Sequence, residues 1–316
     1  MALDGIVISN IATELNDRLS GARIAKIAQP EADEILMTCK SPAGQARLLL
    51  SAGASLPLIY LTSINKPSPV TAPAFCMLLR KHIGGGKILR VWQPGLERII
   101  HFEIEHFNEM GDLCRKDLVL ELMGKHSNLI FCDDQGTIID SIKRVSAQTS
   151  SIREVLPGRP YFIAQTQEKY DPLNTTEEEF SKTVFVKPMK LSKAIYTSYT
   201  GISPVIAEEL CCRAGLESDQ SANTIPPLAQ THLYHLFDLM MEDVKSGRFT
   251  PLIISDPHGD PVEFSSLQLT MYHDLTTTSY ETISEVLERY YAMKNTVTRI
   301  RQKSSDLRHI AVTALE

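Results

Sequence analysis

Three consecutive β-rich segments between residues 87 and 133 constrain the fold more than any other feature of the sequence. They read KILRVWQPG, ERIIHFEIEHF and DLVLELMGKHSNLIFCD. In the middle segment Ile100, Phe102 and Ile104 alternate with polar residues, as in a strand with one buried face. Strands joined by short turns pair antiparallel. We therefore expect a mainly antiparallel sheet in this part of the chain.

Helical patterns surround this region. Residues 1–20 and the segment that follows Pro73 carry apolar residues at helical spacing, and residues 188–247 are helical in character. The sequence therefore predicts an α+β fold. Its four successive parts are a mainly antiparallel β domain (1–172), a helical domain (173–248), a β-hairpin of open domain assignment (249–280) and the start of a coiled coil (281–316).

The last part carries a heptad pattern. Apolar or small residues recur at intervals of three and four, at Ile283, Val286, Tyr290, Met293, Val297, Ile300, Leu307 and Ala311. This spacing predicts a coiled-coil seam over about four heptads. A single amphipathic helix packed on the body is the alternative. Since no helix-ending signal follows, we expect an N-terminal part of a longer protein.

The charge of the chain is unevenly distributed. The net charge of −6 argues mildly against a nucleic-acid binder, because such proteins are usually basic. However, residues 79–98 contain no acid except Glu97, and residues 141–160 contain four basic residues against Glu154. These two segments are candidate phosphate-binding surfaces.

Signals for targeting, metal binding and common enzyme chemistry are not visible. The N-terminus has no basic and apolar leader, and no apolar run approaches the roughly 20 residues of a membrane span. The six cysteines form no CxxC pair, which indicates buried free thiols. Phosphate-loop, HExxH and GxSxG motifs are lacking. We expect a soluble cytoplasmic protein without cofactor, metal or catalytic residues.

TGISPVIAEEL at residues 200–210 is similar to a helix-hairpin-helix turn. Gly201 allows close approach of a phosphate, and Pro204 begins a helix whose free N–H groups can receive it. Ser203 stands where the usual pattern has a second glycine. Gly201 and Ser203 are therefore a candidate phosphate site, with an ordinary helical hairpin as the alternative.

Two further segments place charged side chains at turns. In GLERIIHFEI, Glu97 and Arg98 stand at the start of a predicted strand, where adjacent side chains point to opposite faces. In LELMGKHSN, Lys125 and His126 follow a strand. A guanidinium can bind a phosphate or carboxylate through two hydrogen bonds, although an exposed charged pair is the simpler explanation.

Six segments resemble the NFACT family, in the family's order. They are LDGIVISNIATEL, APAFCMLLRKHIGGGKI, GLERIIHFEI, LVLELMGKHSNLIF, SIKRVS and VLPGRPY. The resemblance implies an N-terminal domain shaped like that of formamidopyrimidine-DNA glycosylases, a helix-hairpin-helix domain, a coiled coil and a C-terminal RNA-binding domain beyond this chain. It implies recruitment of alanyl-tRNA to large ribosomal subunits that still carry peptidyl-tRNA, so that stalled chains receive C-terminal alanine tails.

The resemblance also carries over individual positions. The family's Asp-Arg pair falls on Glu97 and Arg98, and its early Asp-Gly falls on Asp4 and Gly5. We therefore predict a tRNA-binding set, in which the last three are added for their charge: Asp4, Glu97, Arg98, Glu121, Leu122, Met123, Lys125, Lys143 and Arg144.

Three alternative functions would require different features of the sequence. An older family label implies a fibronectin-binding surface adhesin, but the sequence shows no signal or anchor. A scaffold acting through its coiled coil would not need the basic segments. A glycosylase is disfavoured because that chemistry uses an N-terminal proline, and Ala2 stands there. The oligomeric state is open.

Overall fold

The β-rich half of the chain forms one antiparallel sheet. The computed structural model describes residues 3–165 and 167–295, and within them this sheet has nine strands. They are β1 (Arg23–Glu31), β2 (Glu34–Ser41), β3 (Gly44–Ser51), β4 (Leu58–Leu61), β5 (Lys87–Trp92), β6 (Ile99–Phe107), β7 (Leu113–Glu121), β8 (Asn128–Asp133) and β9 (Ile138–Ser141). Their order is β4-β3-β2-β1-β5-β6-β7-β8-β9. The expected mainly antiparallel sheet is confirmed.

Two helices cover one face of this sheet, α1 (Gly5–Leu19) and α2 (Ala74–Ile83). Ile100, Phe102 and Ile104 of β6 belong to the core between the helices and the sheet, as their alternation predicts. Each such side chain contributes about 1.5–3 kcal/mol when it is removed from water. Asp4 caps α1, because its Oδ1 accepts a hydrogen bond of 2.8 Å from the Val7 N–H.

Four helices follow the sheet and enclose a second core. They are α3 (Glu177–Val184), α4 (Leu191–Ser198), α5 (Pro204–Ala214) and α6 (Pro227–Lys245). Ser203 is the N-cap of α5, and Pro204 occupies its first turn as expected. The domain boundaries at residues 172 and 248 stay predictions.

The segment of open assignment forms a small sheet of three strands within the described residues. These are β10 (Leu252–Ser255), β11 (Pro261–Ser265) and β12 (Thr276–Ser279), in the order β11-β10-β12. Strand alternation directs Ile253 into the core under the large sheet, whereas Leu252 and Ile254 pack in the helical core. This segment therefore bridges the two cores.

Residues 283–295 form a helix, α7. Ile283, Val286, Leu287 and Tyr290 are buried in the core under the large sheet. The described part of the predicted seam is therefore packed on the body of the protein. The positions from Val297 onward lie outside the described residues, so the coiled coil itself stays a prediction.

Four of the six cysteines are buried. Cys39, Cys76, Cys132 and Cys211 are buried free thiols, and burial raises the pKa of Cys39 to about 12. Cys212 is exposed, so the expectation of burial is wrong there.

None of the helices in the described ranges has the length and apolarity to cross a membrane.

Candidate nucleic-acid interface

Glu97 and Arg98 lie in the turn that leads into β6. The Glu97 N–H donates a 3.0 Å hydrogen bond to the Pro94 carbonyl, and Gly95 has a φ of 54°, a left-handed value that favours glycine. Because β6 begins only at Ile99, strand alternation does not apply to the pair. The expectation that the two side chains point to opposite faces therefore loses its basis in a strand and stays a prediction, and both residues line one cleft.

This first cleft has a volume of about 440 Å³. The 97–98 turn forms one wall, residues 164–165 and 167–170 form another, and Thr200 and Gly201 of the α4–α5 hairpin close it. The cleft therefore lies where the large sheet meets the helical unit.

The charged groups of the first cleft differ in their partners. Lys169 Nζ donates a 3.0 Å hydrogen bond to the Tyr196 carbonyl. In contrast, the Glu97 carboxylate and the Arg98 guanidinium make no hydrogen bond or ion pair within the residues that the structure describes. Burial raises the pKa of Glu97, an effect that the charges of Arg98 and Lys169 oppose. Both side chains are thus available to a ligand.

A second cleft of about 480 Å³ adjoins the first. Arg98, Met123 and Ala164 line both clefts. The apolar side chains of the second cleft are Met123, Val145, Ile152, Val155 and Ala164, and its cationic ones are Arg98, Lys125, Lys143, Arg144 and Arg153. A cleft lined by both apolar and cationic side chains suits a ligand that presents flat, apolar groups and also carries negative charge.

The three residues predicted from their charge differ in exposure and in their protein partners. Lys125 is exposed in the short 3-10 turn Gly124–His126. Lys143 Nζ donates to the carbonyls of Ala52 and Ser127, so its ammonium group already has protein partners. Arg144 is exposed, and its guanidinium pairs with both oxygens of Asp140. Lys125 is therefore the freest cation of the three.

Glu121 and Leu122 lie beneath the clefts. Glu121 is fully buried, where it accepts hydrogen bonds from Arg153 and from the Tyr161 hydroxyl. The Leu122 N–H donates a 2.9 Å hydrogen bond to the Arg98 carbonyl. Leu122 therefore holds the backbone at Arg98, and Glu121 holds the side chain of Arg153.

Asp4, Gly201 and Ser203 meet at the back of the first cleft. Asp4 is 7% exposed, and its Oδ2 accepts a 2.7 Å hydrogen bond from the Ser203 hydroxyl. The Gly201 carbonyl accepts a 2.9 Å hydrogen bond from the Gly5 N–H. The hairpin predicted to bind phosphate thus contacts the start of α1, and phosphate binding there stays a prediction.

Sequence reasoning missed Lys169 and Arg153. Lys169 lies in the polar segment 164–186, which has the composition of a linker and carries no signal of a binding wall. Arg153 lies in the basic segment 141–160, so its charge was visible. Its pairing with Glu121 required the fold, because the two residues are 32 positions apart.

The arrangement can bind a polyanion that also presents flat, apolar groups. An arginine without a protein partner can donate two parallel hydrogen bonds to a phosphate or to a base edge. The Glu97 carboxylate can accept hydrogen bonds from amino groups of a base. Contacts to phosphate position a nucleic acid, and contacts to bases select it.

The family model and the similar sequences that match this chain agree with one another. The family model of NFACT N-terminal and middle domains matches residues 4–316. The Rqc2 homolog RqcH of Bacillus subtilis is 35% identical over 313 residues, which cover 99% of this chain and 52% of that protein. Human NEMF, a ribosome quality control complex subunit, is 22% identical over 210 residues, or 66% of this chain and 18% of NEMF.

Among solved structures, the fibrinogen binding protein from Staphylococcus aureus matches with a TM-score of 0.77 at 29% identity. The match covers 92% of this chain and 99% of that one. The chain spans about half the length of the Bacillus subtilis relative. The implied likeness of the N-terminal domain to formamidopyrimidine-DNA glycosylases stays a prediction.

Proposed function

This chain belongs to the NFACT family, and from that premise we propose that it is the tRNA-binding part of a ribosome quality control factor. In this proposal the two adjoining clefts around Arg98 bind tRNA. The whole factor recruits alanyl-tRNA to large ribosomal subunits that still carry peptidyl-tRNA. Stalled chains thereby receive C-terminal alanine tails that mark them for degradation.

The observation that carries the proposal is the position of Arg98. Its guanidinium lines both clefts and makes no hydrogen bond or ion pair with the described side chains. Beside the charge of Glu97, this half-buried guanidinium has no hydrogen-bond acceptor among the described residues, so an incoming phosphate or base edge gains a strong, charge-assisted contact. Glu97 beside it supplies an acceptor for the amino group of a base.

The cations around the second cleft support the same ligand. Lys125 and Arg144 are exposed there, and Arg153 is held by Glu121. Such groups attract a phosphate backbone and release its counterions, which makes the affinity fall as salt rises. The peptide-bond chemistry in this proposal belongs to the ribosome, so the chain acts in the cytoplasm as a binding factor and not as an enzyme.

The proposal predicts that Arg98→Ala weakens tRNA binding by about 1–3 kcal/mol, the scale of a lost bidentate arginine contact. Arg98→Lys keeps the charge but not the two parallel donors, so it is expected to restore only part of the affinity. Fluorescence anisotropy with labelled tRNA, at one fixed salt concentration, measures these differences.

Arg248→Ala is the matched control. Arg248 is an exposed arginine whose ion pair with Asp243 lies outside both clefts. Its removal is expected to leave tRNA affinity near that of the unmodified chain. Equal affinities for Arg98→Ala and Arg248→Ala would remove Arg98 from the site. Absence of tRNA binding even at low salt would favour the scaffold alternative.

A further inference from the structure

Three backbone segments meet closely behind the first cleft. A Cβ atom added to Gly201 would lie 2.3 Å from the Leu96 carbonyl oxygen, and one added to Gly5 would lie 2.2 Å from the same atom. Gly201 also has a φ of 77°, which other residues rarely adopt. Leu96 directly precedes Glu97, so the hairpin contacts the chain immediately before the Glu97–Arg98 pair.

A chain of hydrogen bonds fastens this contact. The Ser203 hydroxyl donates to Asp4 Oδ2 at 2.7 Å and accepts from the Ile206 N–H at 3.4 Å. Asp4 Oδ1 accepts from the Val7 N–H at 2.8 Å. One serine and one aspartate thus join the N-terminus of α5 to the N-terminus of α1. Helix N-termini favour a negative group between them.

This joint, formed by Asp4 and Ser203, connects two sides of the first cleft. Thr200 and Gly201 line one side of that cleft, and Glu97 and Arg98 line another. Both sides are attached to the joint, one through Ser203 and the other through Leu96. Asp4 is 7% exposed and both of its oxygens are engaged, so it acts on a ligand through its neighbours.

We propose that Ser203 is a positioning residue for RNA binding. Through Asp4 its hydroxyl holds the α4–α5 hairpin against the backbone before Glu97, and this contact fixes Arg98 relative to the opposite wall of the first cleft. The hydroxyl serves the joint and not a phosphate. This inference rests on the proposed function, because it assigns Ser203 a part in the same site.

The test is a double-mutant cycle on tRNA affinity with Ser203→Ala and Arg98→Ala in the 316-residue chain. Ser203→Ala is expected to weaken binding about fivefold or more, the scale of coupling between groups linked through one hydrogen-bond network or a backbone shift. In the Arg98→Ala background the same change is expected to have little further effect. Ser203→Thr keeps the hydroxyl and is expected to restore binding.

Thr176→Ala is the matched control, because Thr176 caps α3 in the same helical unit and has no link to Asp4. It loses an N-cap of the same kind, so its urea midpoint is expected to fall, whereas its tRNA affinity stays that of the unmodified chain. If Ser203→Ala does not fold, Asp4→Asn keeps the shape of the joint and is expected to show the same dependence on Arg98.

Three results would overturn the inference. They are wild-type binding by Ser203→Ala, additive effects of Ser203→Ala and Arg98→Ala, or an equal loss of binding in Thr176→Ala. An unchanged affinity of Arg98→Ala is a different result. It would contradict the proposed function itself, before any role of Ser203 is considered.

Discussion

The carboxylate of Glu121 is fully buried and accepts hydrogen bonds from the Arg153 guanidinium and the Tyr161 hydroxyl. Arg153 also donates to the Phe162 carbonyl and lies 5.6 Å over the Tyr161 ring. These contacts fasten residues 153–162 across the outer face of the sheet, beside the second cleft. Glu121 therefore contributes to the site by holding Arg153.

Removal of Glu121 is expected to be costly. Glu121→Ala leaves the Arg153 guanidinium, whose side chain is 10% exposed, without its counter-ion. Breaking a buried pair in this way costs about 3–5 kcal/mol of unfolding free energy. Urea denaturation followed by circular dichroism measures the loss.

The matched comparison is Arg144→Ala, which breaks a pair whose arginine is 63% exposed. Exposed pairs contribute less than about 1 kcal/mol, so this variant is expected to unfold close to the unmodified chain. Equal small losses in the two variants would show that the buried pair does not stabilise the fold, which would contradict the role given to Glu121 in holding Arg153.

At single positions, some functional residues could be predicted from local sequence and others could not. Arg98 and Glu97 were found through the resemblance of GLERIIHFEI to a family motif, and the structure places both in one cleft. The partners of Glu121 and the contact of Asp4 with Ser203 could not be predicted, because these partners lie far away in the chain. Hydrogen bonds between distant positions are set by the fold and leave no local pattern.

The helix α7 shows what a heptad pattern leaves undecided. The predicted seam uses Ile283, Val286 and Tyr290, but Leu287 is buried as well. Apolar residues at i, i+3, i+4 and i+7 form a stripe wider than a coiled-coil seam, which is typical of a helix packed on a globular core. Leu287 was therefore the residue that distinguished the two alternatives for this part of the helix.

Hydrogen bonds from the body also fix the start of α7. The N–H and the hydroxyl of Ser284 both donate to Glu14 Oε2 of α1, at 3.1 and 2.9 Å. The Thr62 hydroxyl donates to Glu288 at 2.6 Å. Burial raises the pKa of Glu14, an effect that the hydrogen bonds from Ser284 oppose. The orientation of α7 at its start is thus set by α1 and by the residue after β4.

This raised pKa predicts a pH dependence. Between the unfolded pKa near 4.5 and the higher folded pKa, the folded protein binds more protons at Glu14 than the unfolded chain does. Stability from this group therefore falls as pH rises through that window. Glu14→Gln cannot ionise and keeps an acceptor for Ser284. Its unfolding free energy therefore does not fall with pH through this group.

The measurable quantity is the unfolding free energy of Glu14→Gln minus that of the unmodified chain. Urea denaturation at several pH values is expected to show this difference growing as pH rises above about 4.5, and then levelling off. A difference that shrinks with rising pH would mean that the folded pKa of Glu14 is lowered and that its charge stabilises the contact between α1 and α7.

Over the whole molecule, the net charge was a poor guide to the candidate site. The chain carries −6 in total, yet cations from three separate segments, at Arg98, Lys125 and residues 143–153, meet around two clefts. The antiparallel sheet was predictable because alternation within each strand encodes its buried face. The contact between the sheet and the helical unit was not, because the residues that make it, Gly5, Leu96 and Gly201, lack any shared local pattern.

The central claim is that tRNA binds in these two clefts, and a site-specific cross-link tests it most directly. Met123 lines both clefts, whereas Met110 is 84% exposed in the turn between β6 and β7 and lines neither. A benzophenone amino acid would replace each methionine in turn, followed by irradiation with labelled tRNA. The account predicts a cross-link from position 123 and none from position 110. Cross-linking from position 110 alone, by chains that bind tRNA equally well, would contradict it.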